Sequence, residues 1–417
     1  MPNKILFIES NTTGTGILAL KKVVSWGLEA LFFTNSPERY LDLNTTGCRV
    51  IVCDTNHLSC LRETIEQQVK PEEICGIVTT SDFYLEIVAE LTSLFDLPGN
   101  PVEAIRTARH KGLTRQTLSA SGIHQPRYEM IRSLQDVKAA VDKIGLPCVV
   151  KPADDSASNN VLLVHTWEQA QQHAKKILSV DYNIRGQRKA DVVLIEEYVD
   201  APEFSVEMFT WQGNTTCIGI TQKSLIGFPY FVESRHLFPA FLPADVAEQI
   251  EATVRHALKA IGIQNGATHT ELKWTSGGAS IIEINARLAG GMIPELIRLA
   301  TDIDILEQHI LSAVGRPTIG EVRINGVAGI QFLVSEQEGI LEGIEGMEAA
   351  AKLPFVKQLT ITAKPGAEVQ SPQNAYHRLG HVVVHSPSFA ETVTCLQQAM
   401  DRMHIHIVKN GVGGRLV

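Results

Sequence analysis

The chain has 417 residues, 44% hydrophobic and 20% charged, with a net charge of −9 at neutral pH. That length calls for more than one core, and the acidic balance excludes broad nucleic-acid binding, which needs clustered Lys and Arg. Seven cysteines, with no CxxC pair among them, suit reduced thiols in a cytoplasmic protein better than a disulfide framework.

The opening "MPNKILFIES" reads as a first strand rather than a signal peptide, and no apolar run reaches membrane-spanning length. "KILFIES", "EALFFTNS" and "CGIVTT" are short apolar strands, separated by the helical stretches "TGILALKKVVSWG" and "CLRETIEQQV". Such alternation predicts a parallel α/β sheet, Rossmann-like, over residues 1–107. Gly14, Gly16 and Ala19 are spaced like a dinucleotide fingerprint, but no acid ends the second strand, where Thr34 and Asn35 stand instead. The glycines therefore read as a tight turn rather than an NAD site.

Helical stretches around "PVEAIRTARHKGLTRQTLSASG" carry Lys111. "PCVVKP" and "NNVLLV" flank a polar loop and predict an antiparallel hairpin, with Lys151 ending its first strand. A lysine there is costly unless an anion waits for it. "SVDYNIRGQRKA" reads as a mobile loop before the strand "DVVLIEEYV", which ends in Glu196, Glu197 and Val199. Glu203 follows a Pro-containing turn, where a carboxylate can hold ribose hydroxyls; without context an acidic turn explains it equally well. Further strands, "FSVEMFTW" and "TCIGITQKS", lead to the helix "ADVAEQIEATVRHALKAIG".

"HTELKWTSGGASIIEINAR" reads as two strands around a turn. Alternation puts His269, Glu271 and Lys273 on one face, and Glu283, Asn285 and Arg287 on one face of the second strand. A connection over residues 275–279 sets Glu271 opposite Glu283. Two bare carboxylates facing each other are destabilising, and a cation between them reverses the sign. Hard Mg²⁺, or Mn²⁺ in its place, accepts such oxygens together with the Asn285 amide. Arg287 suits charge developing on a transferred phosphoryl group, and Gly290 and Gly291 allow close substrate approach. After Pro317 the pattern becomes strand-rich α+β. Five histidines there, at 377, 381, 385, 404 and 406, lack the partners of a zinc site.

Taken together, Lys111 with Arg115, "VVK" at 149–151, "EEYVDAPEFSVE" and the Glu271, Glu283, Asn285, Arg287 set resemble the ATP-grasp superfamily. "FPYFVESRHLFPAFLP", "NARLAGGMIPELIRLATDID" and "HRLGHVVV" are similar to its L-amino-acid ligases, which join two amino acids. The resemblance implies an ATP-grasp fold of mixed α/β and α+β class: an N-terminal α/β domain (1–107), a helical linker and mobile lid (108–198), a catalytic core (199–314) and a C-terminal α+β subdomain (315–417). It implies ATP phosphates on Lys111 and Lys151 and, more weakly supported, Lys223. It places adenine at Glu196, Glu197 and Val199, ribose on Glu203, and Mg²⁺ on Glu271, Glu283 and Asn285. Arg287 then acts at the reacting phosphate, and Glu233 and His236 line the amino-acid site, with Phe238 and Phe241 contributing to its wall. A homodimer is implied by family habit.

One departure stands out. The loop after the second lysine is glycine-rich in that family, yet "ADDSASNN" contains no glycine. Ser156 and Ser158 can donate to phosphate, whereas Asp154 and Asp155 would repel it. The competing functions are another ATP-grasp activity, such as a carboxylase or purine-pathway ligase, and a nucleotide-binding regulatory protein without turnover.

Overall fold

The structure, a computed structural model, describes residues 2–12, 15–156 and 158–409. Its first sheet is parallel: β1 (Lys4–Ile8), β2 (Glu29–Thr34), β3 (Arg49–Val52) and β4 (Ile74–Val78), in the order β3-β2-β1-β4. Ile5, Leu6, Phe7 and Ile8 are all fully buried, the unbroken apolar run that a sheet covered on both faces requires. At Gly16 an added Cβ would lie 2.0 Å from Ser10 Oγ and 2.6 Å from the Asn11 carbonyl, so the helix Thr15–Ser25 can start this close to β1 only with glycine there. Gly14 lies outside the described residues. The end of β1 is filled by Glu9, whose carboxylate accepts from the Asn35 amide (2.7 Å) and from the hydroxyls of Thr34, Thr55 and Tyr40.

The lid sheet is antiparallel: β5 (Tyr128–Ile131), β6 (Cys148–Pro152), β7 (Leu162–Val164) and β8 (Val193–Glu197), in the order β5-β8-β6-β7. The β6–β7 pair is the hairpin expected from its two apolar runs. Helices Val137–Ile144 and Trp167–Leu178 bury Val141, Ile144, Ala174 and Ile177 against Val150 and Ile195. The segment 180–190 is anchored at its middle. Its Arg185 is 5% exposed, donates to Ser10 O (3.0 Å) and Tyr40 Oη (3.1 Å), and accepts at its carbonyl from Asn56 Nδ2. Polar composition alone cannot reveal such a cross-domain socket.

The largest sheet holds β9 (Glu203–Trp211), β10 (Asn214–Ile226), β11 (Val232–Phe238), β12 (Gly266–Thr275) and β13 (Gly278–Asn285). The chain then adds β14 (Val327–Leu333), β15 (Gly339–Glu345), β16 (Val356–Ile361), β17 (Glu368–Val369), β18 (Gly380–Ser386) and β19 (His404–Val408). The order β13-β12-β9-β10-β11-β14-β18-β16 makes one eight-stranded sheet, while β17-β15-β19 forms a small separate one. The late strands therefore continue the central sheet and carry C-terminal side chains to the edge of β11. No helix among the described residues is long and apolar enough to cross a membrane.

Candidate active site

The acid pair comes from the β12–β13 hairpin. Thr275 pairs with Gly278, so the turn is only Ser276–Gly277, shorter than expected. A bulge between Glu271 and Leu272 shifts the register by one residue, and Glu271 pairs with Glu283 after all. On the other side of β12, Lys273, Glu271 and His269 pair with Glu203, Ser205 and Glu207 of β9. Alternation thus sends an acidic row into a cleft between the central sheet and the lid.

That cleft encloses about 850 Å³, its open mouth included, and Lys111, Lys151, Glu203, Glu233, Glu271 and Glu283 all line it. Val149, Val161, Leu225, Phe231 and Ile282 make an apolar slot beside the strand end Glu196–Val199. Lys111 stands at the start of the helix Lys111–Ala120 because the chain breaks at His110, whose ring caps the Leu113 amide. Its ammonium donates to the Asp155 carbonyl (2.8 Å) and lies 3.2 Å from Glu283. Lys151 pairs with Glu196 at 2.6 Å, and Arg115 grips the same carboxylate at 2.8 Å. Burial pushes the Glu196 carboxyl up, but Arg115 and Lys151 outweigh it and hold it down at about 2.

Lys223 sits among three carboxylates, Glu271 at 2.6 Å, Glu203 at 3.8 Å and Glu233 in direct contact. Burial works against its charge, yet Glu233, Glu271 and Glu203 raise the ammonium well above its ordinary value. His269 bridges Glu207 (3.0 Å) and Glu271 (3.2 Å). Burial disfavours its imidazolium, but Glu207 prevails and pushes the ring up to about 9. Burial, outweighing Lys223, pushes the Glu203 carboxyl up to about 7. Glu233 resists the same penalty through Lys223 and Arg378, which hold it well below the carboxylate range.

Two family models match this chain: an ATP-grasp domain over residues 144–295 and an L-amino acid ligase C-terminal domain 2 over residues 331–408. Residues 144–295 are an ATP-grasp domain, and residues 331–408 an L-amino acid ligase C-terminal domain. It is 29% identical over 401 residues to an uncharacterized protein of Sinorhizobium fredii, covering 95% of the chain and 82% of that relative. It is 28% identical over 255 residues to alanine–anticapsin ligase of Bacillus subtilis, covering 56% of the chain. The match spans about half, 53%, of that curated relative's length. The fold superposes on the L-amino acid ligase from Bacillus licheniformis with a TM-score of 0.84 at 23% identity, covering 98% of this chain and 100% of that one.

Nine of the expected site residues, Lys111, Lys151, Glu196, Glu197, Val199, Glu203, Glu233, Glu271 and Glu283, line one cleft, and Lys223 and His236 join it through Glu233, whereas Asn285, Arg287, Gly290 and Gly291 are not in its lining. The Lys223 ammonium is engaged by three acids, Glu233, Glu271 and Glu203, and neutralises the acidic row. The Glu196 carboxylate is likewise spent on Lys151 and Arg115, which leaves its backbone as the part able to meet a purine. Glu197 reaches Arg127 at 3.2 Å, and Val199 lines the cleft. The Ser156 hydroxyl donates to Asp82 at 2.6 Å. Asp154 and Asp155 are tied up locally, Asp154 accepting from the Ala190 amide (2.7 Å) and Asp155 from the Ser156 amide (3.0 Å) and Asn159 Nδ2 (2.8 Å). Their carboxylates organise the loop, which answers the repulsion expected from them.

Arg287 donates to Asp82 (2.6 Å) and to the Leu288 carbonyl (2.6 Å). His236 is buried, 3.5 Å from Glu233, with neither ring nitrogen hydrogen-bonded, and burial lowers its pKa below the ordinary value. Gly291, at φ +57°, lies under that ring: an added Cβ would come within 2.5 Å of His236 Cε1, whereas Gly290 faces open space. Phe238 and Phe241 do not line the site. Phe238 fills the core above Gly219, and Phe241 is 79% exposed against Phe389. Consecutive residues of one turn need not face one pocket.

Sequence reasoning assigned no role to Asp82, Lys273, His269 or Arg378. Arg378 donates to the Glu233 carboxylate (3.1 Å) and stacks 3.7 Å above the Phe332 ring. Only the alternation in "HTELKW" signalled any of these, for His269 and Lys273. The oxygens of Glu271, Glu283 and Asn285 fit a hard divalent cation: both carboxylates are partly open to the cleft at 23% side-chain exposure, and each already has a cation beside it. Among the described residues no group of three or more His, Cys, Asp or Glu is arranged to hold a metal ion.

Proposed function

We propose that this protein joins two L-amino acids, or an amino acid and a close analogue, in an ATP-dependent reaction through an acyl phosphate, releasing ADP and phosphate. The observation that carries the reading is the single cleft shared by the Glu271–Glu283 pair, the two lysines Lys111 and Lys151, and Glu233 with its attached His236 and Arg378. The C-terminal family match and the alanine–anticapsin ligase relative support amino acids over bicarbonate or a phosphoribosylamine.

In this reading adenine enters the apolar slot against the backbone of Glu196, Glu197 and Val199, with Glu203 on the ribose and Lys111 and Lys151 on the phosphates. Glu271, Glu283 and Asn285 would hold Mg²⁺ or Mn²⁺, which screens the triphosphate when bound. A carboxylate oxygen of one amino acid attacks the γ-phosphorus, the bond to the β,γ-bridging oxygen breaks, and ADP leaves. Arg287 stabilises the charge on the reacting phosphoryl group. The second amino acid's amine then attacks the acyl carbon and phosphate departs. The amine's surplus proton passes to His236, which burial keeps neutral and able to accept it. Glu233, held ionised, pairs with a substrate ammonium, and Gly290 and Gly291 leave room beside His236. The acyl phosphate survives only if water is excluded, the task assigned to the lid. The division at residues 107, 198 and 314, a homodimer and a cytoplasmic location belong to the same reading.

The test is ADP release by the full chain with Mg²⁺, ATP and single or paired amino acids. Release that requires an amino-acid pair, with a dipeptide as product, is expected. Turnover only with bicarbonate or a phosphoribosylamine, or ATP binding without product, would overturn it.

A further inference from the structure

Asp82 enters the site from the N-terminal domain, 205 residues before Arg287 in the chain. It follows β4 on the turn Asp82–Tyr84 and is 6% exposed. A carboxylate so deeply buried is costly unless its charge is answered. Its Oδ2 accepts two short hydrogen bonds, 2.6 Å from Arg287 Nη2 and 2.6 Å from Ser156 Oγ. Its Oδ1 has no hydrogen-bond partner, with Arg109 Nη1 3.8 Å away. Arg287 spends a second N–H on the Leu288 carbonyl at 2.6 Å. Two fixed acceptors set the plane of the guanidinium while most of its five donors stay available.

We propose that Asp82 is a positioning residue: through one carboxylate oxygen it couples Arg287 to Ser156, so the arginine and the loop 153–160 reach their working places together. The inference rests on the ligase reading of the site. The loop needs such a tie. It contains no glycine, yet Ser158 and Asn160 hold φ values of +55° and +57°, a conformation costly for residues with a side chain. A bond from outside the loop helps hold that shape. Arg287 gains equally, because a displacement of about 1 Å in a reacting group costs on the order of a hundredfold in rate.

The experiment compares wild type, Asp82→Ala, Ser156→Ala and the double variant in full-length form, with saturating Mg²⁺ and ATP and an amino-acid pair that drives wild-type turnover. Asp82→Ala, which removes the shared acceptor oxygen, should lower kcat by about a hundredfold, with the KM for ATP changed by less than about threefold. Ser156→Ala should lower kcat by about tenfold, and the double variant should be no slower than Asp82→Ala, because both act through one oxygen. Unchanged kcat, a loss confined to KM, or singles that multiply in the double variant would overturn the coupling. Should Asp82→Ala fail to fold, Ser156→Ala decides, and an unchanged kcat overturns it. A wild type without turnover sinks the ligase reading instead. Amide hydrogen exchange of residues 153–160 with Mg²⁺ and ATP then tests the tie by itself: faster exchange in Ser156→Ala supports it, and equal exchange overturns it.

Discussion

Arg287→Lys should lower kcat by roughly two to three orders of magnitude while leaving the thermal transition and ATP affinity close to wild type. The conservative variant is the informative one because of where the guanidinium sits. Arg287 is half-buried, its side chain 15% exposed, and pairs with Asp82 at 2.6 Å; burial pushes the Asp82 carboxyl up while Arg287 and Arg109 hold it well below the usual carboxylate range. Arg287→Ala would strand that carboxylate, a loss of about 3–5 kcal/mol for a buried partner removed, and would confuse instability with catalysis. Lysine keeps the charge beside Asp82 but lacks the planar fork that can hold Asp82, the Leu288 carbonyl and a reacting oxygen at once. Steady-state ADP release and a thermal melt on the same preparation check both halves. Near-normal turnover would remove the assigned role.

The second large effect is on stability. Glu196→Ala should cost about 3–5 kcal/mol, because it leaves Lys151 and Arg115 buried without their shared carboxylate. Arg115 also donates to the Ile281 (3.1 Å) and Ile282 (2.7 Å) carbonyls, so the loss reaches β13 beside Glu283. The sign with pH follows from the depressed carboxyl. Unfolded, Glu196 titrates near the ordinary carboxyl value of 4.5; folded, it is held at about 2. Its contribution is fully present above pH 4.5 and is lost as pH falls toward about 2. Denaturant titrations at neutral pH and near pH 3 should therefore show a smaller gap between wild type and variant in acid. An equal gap at both would deny the pairing its role.

The acid pair was legible because strand alternation is a local rule, and it survived an error in detail. The turn is three residues shorter than expected, and the bulge at Glu271/Leu272 restored the pairing. The lysine–acid contacts were not legible. Lys223 meets Glu271 from 48 residues away and Arg378 meets Glu233 from 145, distances over which composition carries no pairing signal. The same holds for Asp82, which follows the strand "CGIVTT" and meets Arg287 from 205 residues away. Phe238 and Phe241 failed as pocket walls because neighbourhood in the chain was taken for neighbourhood in space. The glycine-free loop was legible as a departure, but not that Asp155 would fold it from within.

The central claim is that a divalent ion sits between β12 and β13 and holds a nucleotide's phosphates. Its most direct test is a crystal grown with Mn²⁺ and a non-hydrolysable ATP analogue, examined for anomalous scattering. The account predicts a peak within about 2.0–2.3 Å of oxygens from Glu271 and Glu283, with the phosphates reaching Lys111 and Lys151. Nucleotide bound elsewhere, or those carboxylates still paired only with Lys223 and Lys111 and no metal peak between them, would contradict it.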